Sequence, residues 1–226
     1  MLSIAASEEW RSAHPGALIG LLELSGAENT QPSPELDQVK RETEASLRQR
    51  YAGFTRQDFL SLPVMAAYER YYRRFDKTYH VLLQLESIVM KGKSLPHVSP
   101  LVDANFTAEV ETLVLTAGHD VARLEGEVVM DVSLPGERML QMNGTDKVIL
   151  AGDMVMRDEM GICCSILYGQ DNRSPITSET HSVLYVAYAP SGVGAAAVQA
   201  QLTMIDAHVR LFSPQARVEQ MRLLEA

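Results

Sequence analysis

The sequence predicts an α+β protein, and three observations carry that reading. Apolar residues recur at helical spacing from residue 34 to residue 116. From residue 128 to residue 188 the pattern changes to short apolar runs separated by turn signals at Pro135-Gly136, Asn143-Gly144 and Met160-Gly161. Helices grouped first and strands grouped later are the order of α+β folds, not of alternating βα units.

Taken in order, residues 17–24 are an apolar run bounded by Pro15-Gly16 and Ser25-Gly26, which reads as a buried strand. Gln31-Pro32-Ser33-Pro34 reads as a turn, with Ser33 as cap and Pro34 at the first helical position. The helix that follows, residues 34–51, places Leu36, Val39, Thr43, Leu47 and Tyr51 on one face and ends at Gly53. Residues 55–75 are a second helical run, interrupted near Pro63. Residues 77–90 are a third, with Val81, Leu82, Leu85, Ile88 and Val89 facing inward. Tyr68, Tyr71, Tyr72 and Phe75 lie at helical spacing beside Arg70, Arg73 and Arg74. Such a stripe either stacks nucleobases or packs as core under arginine stems.

Gly92 fits a left-handed helix end, and Ser99-Pro100 signals a new helix expected to run to about residue 116 and to stop at Gly118. Five short strands are expected at Val128, Arg138, Lys147, Met154 and Ile162, then a polar loop over residues 169–175 and a last strand over residues 182–188. A helix over residues 194–211 and a short helical tail from Pro214 complete the expected elements. No repeat or linker divides the chain, so one domain over residues 1–226 is expected.

Composition narrows the function. The net charge of −9 argues against strong non-specific attraction to nucleic acid or acidic membrane. Residues 40–93, however, hold eleven Lys/Arg against six Asp/Glu, a local balance of +5 that suits modest phosphate contact or a solvated helical face. There is no apolar run of transmembrane length, and the acidic first ten residues do not resemble a secretory leader. Cys163 and Cys164 are adjacent and would point to opposite faces of a strand, so no disulfide joins them and a cytoplasmic location is expected. The six histidines show no metal-ligand spacing, and no phosphate-cradling glycine loop or nucleophile elbow occurs; no metal and no cofactor are expected.

Two polar constellations remain. Gly118-His119-Asp120 is expected at a helix end, where a histidine near a carboxylate can handle protons or where the group merely forms a cap. The loop from Asp171 to Thr180 concentrates an acid, Arg173 and hydroxyls including Thr177, suited to a polar ligand or to a surface pair of Arg173 with Asp171.

Set in order, these segments resemble a family. Lys91-Gly92-Lys93-Ser94-Leu95-Pro96, Pro100-Leu101-Val102-Asp103 with Asn105, Gly118-His119-Asp120 with Leu124-Glu125-Gly126, Ile176-Thr177 with Thr180, and the Val183-to-Pro190 strand occur in the order and spacing of the editing and tRNA-binding domain of the phenylalanyl-tRNA synthetase β subunit. They are more similar still to stand-alone proteins consisting of that domain. The match covers residues 15–212, leaving a tail at 213–226.

The resemblance implies helices packed around an antiparallel β-sandwich-like core. It also implies tRNA as partner and hydrolysis of misacylated tRNA in trans as an activity, with water positioned by polar groups. By the same resemblance, His119 and Asp171 are catalytic candidates, and Asn105, Arg173 and Thr177 line the pocket. Arg73, Arg74, Lys91 and Lys93 meet phosphate. The synthetase pattern has a histidine where Ala117 stands, and Gly-Gly-Glu where Gly169-Gln170-Asp171 stands. The alternative functions are a non-catalytic RNA-binding module and a module for an amino-acid-like small molecule. The sequence leaves the oligomeric state open.

Overall fold

The computed structural model describes residues 1–30 and 33–226. In chain order the elements are β1 (Ile4–Ala6), α1 (Glu8–Ala13), β2 (Leu18–Ser25), α2 (Pro34–Arg50), α3 (Arg56–Ser61), α4 (Pro63–Arg73), α5 (His80–Val89) and α6 (Pro100–Thr112). Then come β3 (Thr116–Asp120), β4 (Val128–Val132), β5 (Arg138–Leu140), β6 (Asp146–Val148), β7 (Met154–Asp158), β8 (Gly161–Ser165), β9 (Gly169–Gln170), β10 (Ser182–Ala189), α7 (Ala195–Phe212) and β11 (Arg217–Glu225). The expected α+β class is the observed one. Of the expected turn before α2, Gln31 and Pro32 lie outside the described residues, while Pro34 does stand in the first helical turn.

Two sheets form the centre. One has the order β11-β2-β10-β3 and is antiparallel throughout; the other has the order β1-β4-β7-β8-β9, with only the β1–β4 pair parallel. Strand β10 is inner and apolar on both faces, with Val183, Leu184, Tyr185 and Val186 all fully buried. One face of its sheet takes the helices. Tyr185 donates to the Leu101 carbonyl of α6 at 2.8 Å, and Gly20 of β2 leaves room for Val198 and Leu202 of α7. The sheets share one apolar core, and their edges meet where Gln170 of β9 donates to the Gly118 carbonyl of β3.

Helix α4 fastens the two sheets, which settles the role of the tyrosine stripe. Tyr68 donates to the Tyr188 carbonyl at 2.6 Å, Tyr71 to Asp153 at 2.6 Å and Tyr72 to the Ile166 carbonyl at 2.6 Å. All three rings are buried, and Tyr68 stacks on Tyr79 at 4.1 Å. The rings are core and are not offered to nucleobases.

Four expectations are corrected. Helix α6 ends at Thr112, not near residue 116, because Leu113 takes φ 64° and the chain doubles back as β3, with the Glu109 carboxylate accepting from the Thr116 N–H. Gly118-His119-Asp120 is therefore strand, not a helix cap. The tail from Pro214 forms strand β11, paired with β2 from Arg217 to Glu225, although Glu, Gln, Met and Leu favour helix; pairing with an open sheet edge overrides propensity. Ser99 precedes α6 as expected, but its hydroxyl makes no cap bond; Asn29 accepts from the Leu101 N–H instead. The N-terminal β1 and α1 were not foreseen; Ser7 caps α1, and β1 pairs with β4. Among the described residues no helix is long and apolar enough to cross a membrane.

Candidate functional site

β3 and the loop after β9 together bury a chain of hydrogen bonds. His119 pairs in register with Leu184 of β10, and its Nδ1 lies 2.8 Å from Ser174 Oγ. Ser174 Oγ in turn donates to Asp171 Oδ1 at 2.6 Å, since a carboxylate can only accept. Gln170 Nε2, which can only donate, also lies 3.1 Å from that Nδ1, so the ring meets both the Ser174 hydroxyl and the Gln170 amide through one nitrogen and leaves out the other, the ring Nε2. That nitrogen is buried with no partner among the described residues. Burial first, and the charge of Arg173 second, hold the imidazole neutral, its pKa lowered to about 3. The two catalytic candidates are thus joined through Ser174, which sequence reasoning missed.

The cluster is sealed. His119 and Ser174 have no exposed surface, and Asp171 is 4% exposed. Asp120 closes another side, accepting from Thr180 at 2.8 Å while Thr180 accepts from the Thr177 N–H. Arg173 makes a two-toothed bond to Asp158 at 2.7 and 2.9 Å and lies 3.4 Å from Asp171. Burial opposes ionisation of Asp158, but Arg173 and two backbone N–H groups hold its pKa below the usual carboxylate value. No short motif marks Asp158, which stands at the end of β7; only the tertiary pairing shows it. Thr177 is exposed, and its carbonyl accepts from Asn29. Asn105 lies apart, in α6, donating to the Thr116 carbonyl at 2.8 Å beneath Gln201. Cys163 and Cys164 are free and buried; Arg173 donates to the sulfur of Cys163.

The stretch from Lys91 to Asn105 is organised by α2. Arg48 donates to the Lys93 carbonyl at 3.0 Å, Glu44 accepts from the Leu95 N–H at 2.7 Å, and Lys40 donates to the Pro96 carbonyl at 2.7 Å and to Asp103 at 2.6 Å. Asp37, His97 and Asp103 bring oxygen and nitrogen atoms together as a cation site would, but the Lys40 ammonium already lies 2.6 Å from Asp103 and 3.2 Å from His97. With the backbone so held, Lys91 and Lys93 project exposed side chains. Arg73 is also exposed, 4.0 Å from Glu69. Arg74 stacks over Tyr71 at 4.4 Å and lines a cavity of about 430 Å³. Among the described residues none of these four cations bonds to the buried His119 cluster, whose partners are Ser174, Gln170, Asp171 and Arg173.

A two-sheet α+β domain with a tyrosine-bonded helix and a buried carboxylate–hydroxyl–imidazole chain defines the class. The B3/4 domain family model matches residues 64–212, and the chain belongs to that family. A crystal structure of an N-terminal fragment of the phenylalanyl-tRNA synthetase β-subunit from Pyrococcus horikoshii has the same fold, with a TM-score of 0.52 at 7% identity. The match covers 100% of this chain and 55% of that one, so this chain spans about half the length of the fragment. No curated protein matches.

Proposed function

We propose that this chain is a tRNA-binding module of the B3/4 kind that holds its RNA without deacylating it. The observation that carries this reading is the separation of cations from the candidate acid–base pair. Lys91 and Lys93 extend from a backbone pinned by Arg48 and Glu44, whereas His119 and Asp171 are closed off from solvent. Phosphate contacts need only exposed charge at fixed positions. Ester hydrolysis needs a water within reach of the base. The synthetase fold likeness supplies the choice of tRNA as ligand, and binding would take place in the cytoplasm, by one domain.

The test is titration of a tRNA panel, including phenylalanine tRNA, over a series of salt concentrations, together with hydrolysis of tyrosyl-tRNA(Phe). Binding that weakens with salt, and whose salt slope falls by about 1 for each of Lys91→Ala and Lys93→Ala, fits the proposal. No binding at low salt overturns the RNA reading. Hydrolysis above a buffer control at micromolar protein overturns the non-catalytic reading. A second, hydrolytic reading rests on one feature: His119 at the end of the Asp171–Ser174 chain has an Nε2 with no partner among the described residues, and local opening of the 171–180 loop would expose it to water.

A further inference from the structure

A second polar site lies between α4, the turn after α1 and the turn after β10. There His14, Arg70, Arg74, Tyr71, Ser191 and Gly192 line the cavity of about 430 Å³, which is in the size range of small-molecule sites. Arg70 and Arg74 stand one turn apart on α4 and have no ion-pair partner among the described residues, whereas the intervening Arg73 faces Glu69. The Arg74 guanidinium carbon lies 4.4 Å from the centre of the Tyr71 ring, a cation–π contact that holds the head group at the cavity. The histidine is 6% exposed, and its Nε2 is buried with no partner among the described residues.

Glycine keeps the cavity open. At Gly192, which has φ 101°, an added Cβ would stand 2.5 Å from a guanidinium nitrogen of Arg70. At Gly16, with φ 77°, it would stand 3.2 Å from the Ser191 hydroxyl. Two guanidinium groups without an ion-pair partner among the described residues, a hydroxyl and an imidazole with an unpartnered buried nitrogen line one cavity, where Gly192 leaves room beside Arg70.

We propose that this cavity binds a phosphoryl group, with Arg70 and Arg74 gripping its oxygens and Ser191 and His14 donating to it. Burial, and then the charge of Arg74, hold His14 neutral with a pKa lowered to about 4, and a neutral imidazole still offers one N–H. The site stands independently of the tRNA reading, because its occupant is a small phosphate compound that binds whether or not the chain also holds RNA.

The experiment is calorimetry with inorganic phosphate, a 5′-mononucleotide and tRNA in turn, at fixed ionic strength, on wild type, Arg70→Gln/Arg74→Gln and Arg73→Gln. Wild type and Arg73→Gln are expected to bind phosphate or the nucleotide, and the double variant to lose at least tenfold in affinity. The double variant is checked for its native circular dichroism. If it misfolds, the single variants Arg70→Gln and Arg74→Gln serve in its place, each expected to bind phosphate more weakly than wild type. No binding of phosphate or nucleotide by wild type, or equal binding by a folded double variant, overturns the proposal. Nucleotide binding without tRNA binding keeps this site and removes the tRNA reading. Loss of tRNA binding alone in the double variant, with no binding of the small phosphates, makes the arginines an RNA surface and overturns the cavity site.

Discussion

Glu109→Gln is expected to stabilise the protein increasingly as pH rises. Glu109 lies on α6, 2% exposed, and accepts one hydrogen bond, from the Thr116 N–H at 2.9 Å; among the described residues no cation pairs with it. Burial raises its carboxyl pKa from 4.5 to about 8, the backbone bond opposing only in part. The folded state therefore keeps a proton that the unfolded chain releases near pH 4.5. Stability from this group is fully present below pH 4.5 and is lost as pH rises towards 8. The slope is about 1.4 kcal/mol per pH unit, so the total reaches about 5 kcal/mol as an upper figure. A glutamine keeps the acceptor for Thr116 and cannot ionise. The difference in unfolding free energy, variant minus wild type, should be flat below pH 4.5, climb through pH 5 to 8, and level off above. Urea denaturation of both proteins at five pH values from 5 to 9 measures it, and taking the difference removes the parallel titration of Asp153, whose pKa burial raises to about 7. Two stability curves that stay parallel across that range would refute the buried, uncompensated placement of Glu109.

Three further outcomes follow from the packing. Lys40→Ala strands Asp103, whose side chain is 3% exposed, and should cost about 3–5 kcal/mol in urea denaturation; a loss under about 1 kcal/mol would mean the pair is not sealed. Gly20→Ala drives a Cβ to 2.4 Å from the stiff Val198 side chain of α7 and should cost about 1–3 kcal/mol, read as a lower midpoint, with an unchanged midpoint the contrary result. Burial pushes the Cys163 thiol up to about 12 and raises Cys164 as well, so a thiol reagent at pH 8 should modify neither cysteine in the native protein and both in urea; rapid native labelling would contradict the burial.

The elements that could be read from the sequence are those whose own residues decide them. Pro34 and Pro63 start helices, the first of which ends just before Gly53, and β10 announces itself by Val183, Tyr185, Val186 and Tyr188. The misread elements are decided by distant partners. Residues 113–120 carry a helical apolar pattern, yet Leu113 at φ 64° turns the chain because Tyr79 holds its carbonyl at 3.0 Å and β10 supplies a ladder. Residues 217–225 are helix formers that become strand only because β2 has an open edge. The same distinction runs through the site. His119, Asp171 and Arg173 could be picked out by residue type, but the link through Ser174 and the clamp on Asp158 come from strands far apart in the chain.

That distinction also changes what the charge count means for ligand binding. Of the cations in residues 40–93, Lys40, Arg48, Arg50, Arg56 and Arg73 face carboxylates of the same chain, only the Lys40 pair being fully buried. Arg41, Arg70, Arg74, Lys77, Lys91 and Lys93 do not, among the described residues, so six of the eleven cations are free to meet phosphate. The acidic side is overcounted too. The net charge of −9 treats Glu109 and Asp153 as ionised, although burial keeps the first protonated and the second partly so at pH 7. The long-range repulsion of a phosphate chain is thus weaker than the composition implies, and it is screened beyond about 8 Å at physiological salt. Within that range the free cations, not the net charge, decide whether an anion stays bound, and a steep salt dependence at modest affinity is the behaviour this arrangement predicts.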